Sequence, residues 1–227
     1  MIDAVQLAQY VDHTLLKPDA NETDIIKLCE EAKAYQFYSV CVNGIWVAKC
    51  RELLEGTNVR IAAVVGFPLG ANSTIVKAFE AAKAVEDGAA EIDMVLQVGL
   101  LQAGKLEAVQ EDIAQVVRMV QGKAIVKVIF ETGMLTDDEK ISACRCTEQA
   151  GAHYVKTSTG FGKGGATVED IRLMRAHVSP HIGVKASGGV RDQETALRMI
   201  EAGATRIGAS AGIQIVTGNK PAEGGTY

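Results

Sequence analysis

Short apolar runs alternate with stretches in which apolar residues recur at helical spacing. Runs at 11–16, 38–42, 60–66, 91–96, 124–130, from 154 onward, 182–186 and 205–209 predict eight strands. Between them, residues 23–35 place Ile25, Ile26, Leu28, Ala32 and Tyr35 on one helical face. The same spacing predicts helices over 45–54, 74–85, 107–119, 137–150, 168–177 and 195–202, and a short one after the last strand. Gly88, Gly151 and Gly203 each stand between a predicted helix and the next strand, where a left-handed residue closes a helix. Continuous apolar strands separated by helices imply parallel pairing. Eight repeated units predict an α/β chain folded as one (β/α)8 TIM barrel. An open doubly wound sheet is the rival arrangement. The single domain is expected to span 1–227, with a flexible polar tail at about 218–227.

Composition narrows the function classes. The 227 residues are 48% hydrophobic and 22% charged, with a net charge of −5 and no basic run. That balance speaks against nucleic acid or an anionic membrane as the partner. No apolar run reaches the roughly 20 residues that span a bilayer, and the N-terminus does not read as a signal peptide. Five cysteines without a Cys-x-x-Cys pair read as free thiols in a reducing cytoplasm.

One chemical feature stands out of this apolar pattern. Lys127, Lys156 and Lys185 recur every 29 residues, each after a valine in a predicted strand. Strand residues alternate between the barrel interior and the helix layer, so the three lysines share the interior. They lie near the strand ends that form the active rim of such barrels, and Asp93 takes a similar place in strand four. Structural ion pairing is the plain alternative. Against it, Asp93 and Glu131 are the only obvious carboxylates for three cations. Burial and like charges lower a lysine pKa from its ordinary value of about 10.4, and a neutral amine can attack a carbonyl. The constellation points to an imine-forming lysine with a second lysine beside it.

The following loops, Gly160-Phe161-Gly162-Lys163-Gly164-Gly165, Ser187-Gly188-Gly189 and Ser210-Ala211-Gly212, are glycine-rich and suit an anion. Ser210 also reads as a helix cap. His177 and His181 have metal-pair spacing, but Pro180 lies between them, and no metal site is expected. His13 and His153 lack a ligand pattern, and Cys41 reads as a buried apolar thiol. There is no nucleotide fingerprint.

Val11-Asp12-His13-Thr14-Leu15-Leu16-Lys17-Pro18, Glu91-Ile92-Asp93-Met94-Val95, Val126-Lys127-Val128-Ile129-Phe130-Glu131-Thr132, Lys156-Thr157-Ser158-Thr159-Gly160, Lys185-Ala186-Ser187-Gly188-Gly189 and Arg206-Ile207-Gly208-Ala209-Ser210 resemble the deoxyribose-phosphate aldolase family. The resemblance covers nearly the whole chain. It implies a metal-independent, cofactor-free class I aldolase on a (β/α)8 barrel. Such an enzyme reversibly cleaves 2-deoxy-D-ribose 5-phosphate to D-glyceraldehyde 3-phosphate and acetaldehyde, in deoxyribose phosphate catabolism. Matched to the family, Lys156 is the Schiff-base lysine, Lys185 the lysine that tunes it and Asp93 the proton-shuttling carboxylate. Gly160, Gly188, Gly189 and Ser210 match the phosphate contacts, and Lys127 supports the charge network. The C-terminal Tyr227 matches a proton relay of some members, against the alternative of a frayed terminus. Phe161 stands where some relatives carry a basic residue, with Lys163 as the nearby replacement. A homodimer is expected from the resemblance, and a cytoplasmic place from the free cysteines. Other Schiff-base barrel enzymes, such as keto-acid lyases or transaldolase-like enzymes, and a non-catalytic phosphate-binding barrel remain as alternatives.

Overall fold

A computed structural model describes residues 2–218. Eight parallel strands, β1 (Val11–Leu15), β2 (Ser39–Val42), β3 (Arg60–Val65), β4 (Glu91–Val95), β5 (Ile125–Ile129), β6 (Tyr154–Lys156), β7 (Gly183–Ser187) and β8 (Arg206–Ala209), pair in chain order. β8 returns to β1, with Asp12 opposite Gly208, and closes the barrel. The fold is therefore a (β/α)8 TIM barrel, and the open sheet is excluded.

The helices are α1 (Ala4–Ala8), α2 (Glu22–Tyr35), α3 (Val47–Leu53), α4 (Thr74–Asp87), α5 (Val98–Gln102), α6 (Leu106–Val120), α7 (Asp137–Gln149), α8 (Val168–Ala176), α9 (Gln193–Glu201) and α10 (Gly212–Thr217). Local chemistry sets several of their starts. Asn21 and Thr136 each accept a backbone N–H of the first turn, and Asp24 and Glu139 return the bond, which fixes α2 and α7. Gly88, Gly151 and Gly203 all have positive φ, as expected for the repeated helix-to-strand turn.

Two layers of packing follow from strand alternation. Val126 and Val128 of β5 and Ile92 and Met94 of β4 face the helices in the main apolar core. A small second cluster, Leu16, Cys41, Ala62 and Val64 with Phe67 against it, comes from the β1–β3 side. Most of the remaining interior is charged. Of the elements unforeseen in sequence, α1 and α5 are five residues each, too short for a helical period to register. β6 is shorter than its apolar run and ends at Lys156 itself. No helix among the described residues is long and apolar enough to cross a membrane.

Candidate active site

Strand register brings the predicted residues together. Asp93 pairs with Lys127 across β4 and β5, and Lys156 pairs with Lys185 across β6 and β7. All four side chains are buried, and Lys156 is 3% exposed. Lys156 Nζ donates to Asp93 Oδ2 at 2.8 Å, and Lys185 Nζ donates to the same oxygen at 2.8 Å. Lys127 Nζ donates to the other oxygen, Asp93 Oδ1, at 2.6 Å. Asp93 is thus the common acceptor of all three lysines.

Three further charges lie in the same interior, and the sequence reading missed them. Asp12 of β1 accepts from Lys185 and, through Oδ1, from Arg206 at 2.8 Å and Ser39 Oγ at 2.7 Å. Glu91 of β4 lies 2.5 Å from Lys127 and 3.1 Å from Arg206. The Arg206 guanidinium stacks 3.5 Å over the Tyr38 ring. Among the described residues, Lys127, Lys156, Lys185 and Arg206 therefore face three carboxylates, Asp12, Glu91 and Asp93. One cation is in excess, and a neutral Lys156 would balance the cluster.

The electrostatics single out that residue. Burial opposes the charge of every lysine here, but the partners differ. At Lys185, Asp12 and Asp93 outweigh burial and raise the pKa. At Lys127, Asp93 and Glu91 do the same. At Lys156, burial, aided by the Lys185 ammonium, outweighs the single carboxylate of Asp93, and the pKa falls. The expectation that clustered lysines lower one another's pKa therefore holds at Lys156 and is reversed at Lys127 and Lys185. The extra carboxylates, Asp12 and Glu91, are the physical reason. Burial would raise the Asp93 carboxyl, but Lys127, Lys156 and Lys185 together hold it well below the usual carboxylate range. The site therefore sets an amine with a lowered pKa beside a carboxyl held below its ordinary range and a lysine whose pKa is raised.

The glycine loops lie at the same rim, directly after β6, β7 and β8. Hydroxyl bonds stitch β6 to β7: Thr157 Oγ1 donates to Ser187 O at 2.8 Å, and Ser187 Oγ to Ser158 O at 2.6 Å. Gly160, Gly188 and Gly189 all have positive φ. Ser210 is exposed just before α10, and Lys163 is exposed in the β6 loop. Phe161 turns to Phe67, edge to face at 5.3 Å between centroids. Tyr227 lies outside the described residues.

The remaining candidates have structural partners. Cys41 is buried in the barrel interior, where burial and then Asp93 raise its pKa. His13 faces the helices, with Nε2 2.7 Å from Glu31. His177 Nδ1 lies 2.8 Å from Leu173 O, and His181 is exposed. His153 Nδ1 accepts from Val126 N–H at 3.1 Å. Among the described residues no group of three or more His, Cys, Asp or Glu is arranged to hold a metal ion.

The profile of the DeoC/LacD family aldolases matches residues 6–219. A deoxyribose-phosphate aldolase of Geobacillus sp. (strain WCH70) is 59% identical over 212 residues, covering 93% of this chain and 95% of that protein. One from Brevibacillus brevis is 57% identical over 216 residues, covering 95% and 97%. A solved deoxyribose-phosphate aldolase from Aeropyrum pernix, described as tetrameric, superposes with a TM-score of 0.90 at 33% identity, covering 96% and 92%. With a closed eight-stranded barrel, a buried lysine cluster at its rim and this similarity along nearly its whole length, the chain belongs to the DeoC/LacD family of aldolases.

Proposed function

We propose that this aldolase reversibly cleaves 2-deoxy-D-ribose 5-phosphate to D-glyceraldehyde 3-phosphate and acetaldehyde through a Schiff base on Lys156. The observation that carries the reading is the single oxygen Asp93 Oδ2 shared by Lys156 and Lys185, with the pKa of Lys156 lowered and that of Lys185 raised. A neutral Lys156 amine adds to the C1 aldehyde and water leaves, forming an iminium. The iminium withdraws electrons, so the C2–C3 bond breaks and its electron pair becomes the enamine. The C3 hydroxyl proton passes to Asp93, directly or through water, as C3 becomes the aldehyde of glyceraldehyde 3-phosphate. Protonation of the enamine carbon and hydrolysis then release acetaldehyde and free Lys156. Lys185 remains charged throughout and disfavours a second ammonium at Lys156. Tyr227 is the candidate relay to the enamine carbon, and Tyr227→Phe is expected to lower kcat.

Gly160, Gly188, Gly189 and Ser210 form the candidate phosphate contacts at the loops after β6, β7 and β8, as barrels commonly arrange them. The reading includes a cytoplasmic homodimer in deoxyribose phosphate catabolism, and sedimentation of the purified protein tests the assembly. The activity test is the formation of both products from 2-deoxyribose 5-phosphate. Their absence, with a keto acid or ketose phosphate cleaved instead, would replace this substrate with that of another Schiff-base barrel enzyme.

A further inference from the structure

One buried carboxylate stands apart from the interior ion cluster. Glu131 follows β5 and is 6% exposed. Among the described residues its carboxylate has no lysine or arginine at ion-pair distance. Its backbone is left-handed, with φ 57° and ψ 61°. A side chain there costs about 1–2 kcal/mol, and glycine would remove that cost. The Glu131 side chain must therefore do something that outweighs the strain.

Its contacts say what. Glu131 Oε2 accepts the Thr159 hydroxyl and the Thr159 backbone N–H, the latter at 3.3 Å. Thr159 Oγ1 in turn accepts the Phe161 N–H at 3.0 Å. Gly162 lies so close that an added Cβ would stand 2.8 Å from the Glu131 carboxyl carbon. The segment 159–162 is thus wrapped around one carboxylate. The far end of the same loop is held independently, where Ala166 N–H donates to Gly188 O at 2.9 Å. Gly160, at φ 88°, lies inside the wrapped segment.

We propose that Glu131 is the positioning residue for the phosphate-binding backbone, and this rests on the sugar-phosphate reading above. A carboxylate repels a phosphate, so Glu131 does not bind the ligand. It fixes the 159–162 loop through the Thr159 and Phe161 N–H groups, so that the Gly160 backbone is set before the substrate arrives, and preorganisation of that kind appears as affinity.

The test compares Glu131→Gly, which removes both strain and carboxylate, with Glu131→Gln, which keeps an acceptor oxygen. With 2-deoxyribose 5-phosphate, E131G is expected to raise KM about 10-fold while kcat changes less than about 3-fold. With unphosphorylated 2-deoxyribose, kcat/KM stays within about 2-fold, and E131Q recovers most of the lost KM with the phosphorylated substrate. Calorimetry with inorganic phosphate should show about 10-fold weaker binding to E131G than to the unaltered protein. Equal losses on both substrates, or unchanged phosphate binding, would overturn the proposal. Failure of the unaltered protein to form an imine would instead overturn the aldolase reading, and the phosphate calorimetry would still decide the role of Glu131.

Discussion

Lys156 and Lys185 are direct register partners on β6 and β7, and their ammonium groups end at one oxygen of Asp93. Adjacent parallel strands present register partners to the same side, so two cations are driven together by the sheet itself. Asp12 gives Lys185 a second carboxylate, whereas among the described residues Asp93 is the only carboxylate within ion-pair distance of Lys156. That asymmetry makes Lys156 the amine that loses its proton first.

Removing the neighbouring charge should therefore move the pH profile. In Lys185→Met, Lys156 loses a repelling ammonium and no longer shares Asp93 Oδ2, while Lys127 keeps Oδ1, so the Lys156 pKa rises. On the proposed mechanism the acid limb of kcat/KM follows deprotonation of Lys156, and it is expected to shift upward by about 1 pH unit or more, where each unit is about 1.4 kcal/mol. A pH–rate series on the two proteins reads this. An unmoved acid limb would show that another group controls it.

Gly208 leaves the space that Lys185 occupies. A Cβ at Gly208 would stand 2.9 Å from Lys185 Cε, and Asp12 and Asp93 tether the ammonium beyond it. Gly208→Ala is expected to lower kcat/KM about 10-fold, or about 1.4 kcal/mol in the transition state, with the fold retained. Steady-state kinetics with a thermal melt checks it. Full activity would mean that Lys185 has more freedom than its two carboxylates suggest.

A second buried ion pair lies outside the site. Lys77 of α4 donates to Asp112 of α6 at 2.7 Å and to Val95 O at 2.9 Å. Burial lowers the Lys77 pKa despite Asp112. Among the described residues, Lys77→Met leaves the Asp112 carboxylate with Thr74 and Gln97 as its side-chain partners. Breaking such a pair costs about 3–5 kcal/mol, and at about 2–4 °C per kcal/mol the melting temperature should fall by roughly 10 °C. Differential scanning calorimetry measures the drop. A loss below about 3 °C would mean that the pair is nearly neutral for stability.

Acid should destabilise the barrel through Asp12 and Asp93. Both carboxyls are held below their ordinary range, because the surrounding cations outweigh burial. A depressed carboxyl contributes stability that is present above its unfolded pKa of about 4 and lost as pH falls toward its folded value. Urea melts at pH 7, 5 and 3 should show little change from 7 to 5 and a clear loss by 3. Stability unchanged at pH 3 would contradict the ion cluster described.

Much of this was legible in the chain before its coordinates. The 29-residue recurrence of Lys127, Lys156 and Lys185 marked one interior face, because period-two alternation turns equal strand positions the same way. Asp12, Glu91 and Arg206 were harder to read. Asp12 and Arg206 lie 194 residues apart and meet only because β8 closes on β1. Without those partners the three lysines looked alike, and the raised pKa values of Lys127 and Lys185 could not be foreseen. The contact between Phe161 and Phe67 has the same character, since it joins the loops after β6 and β3.

The most direct measurement is borohydride trapping with 2-deoxyribose 5-phosphate, followed by peptide mass mapping. The expected result is one reduced adduct on Lys156 and its absence in Lys156→Met. An adduct on Lys185 would reverse the two lysine roles. No adduct, with sugar phosphate still bound, would contradict the Schiff-base mechanism.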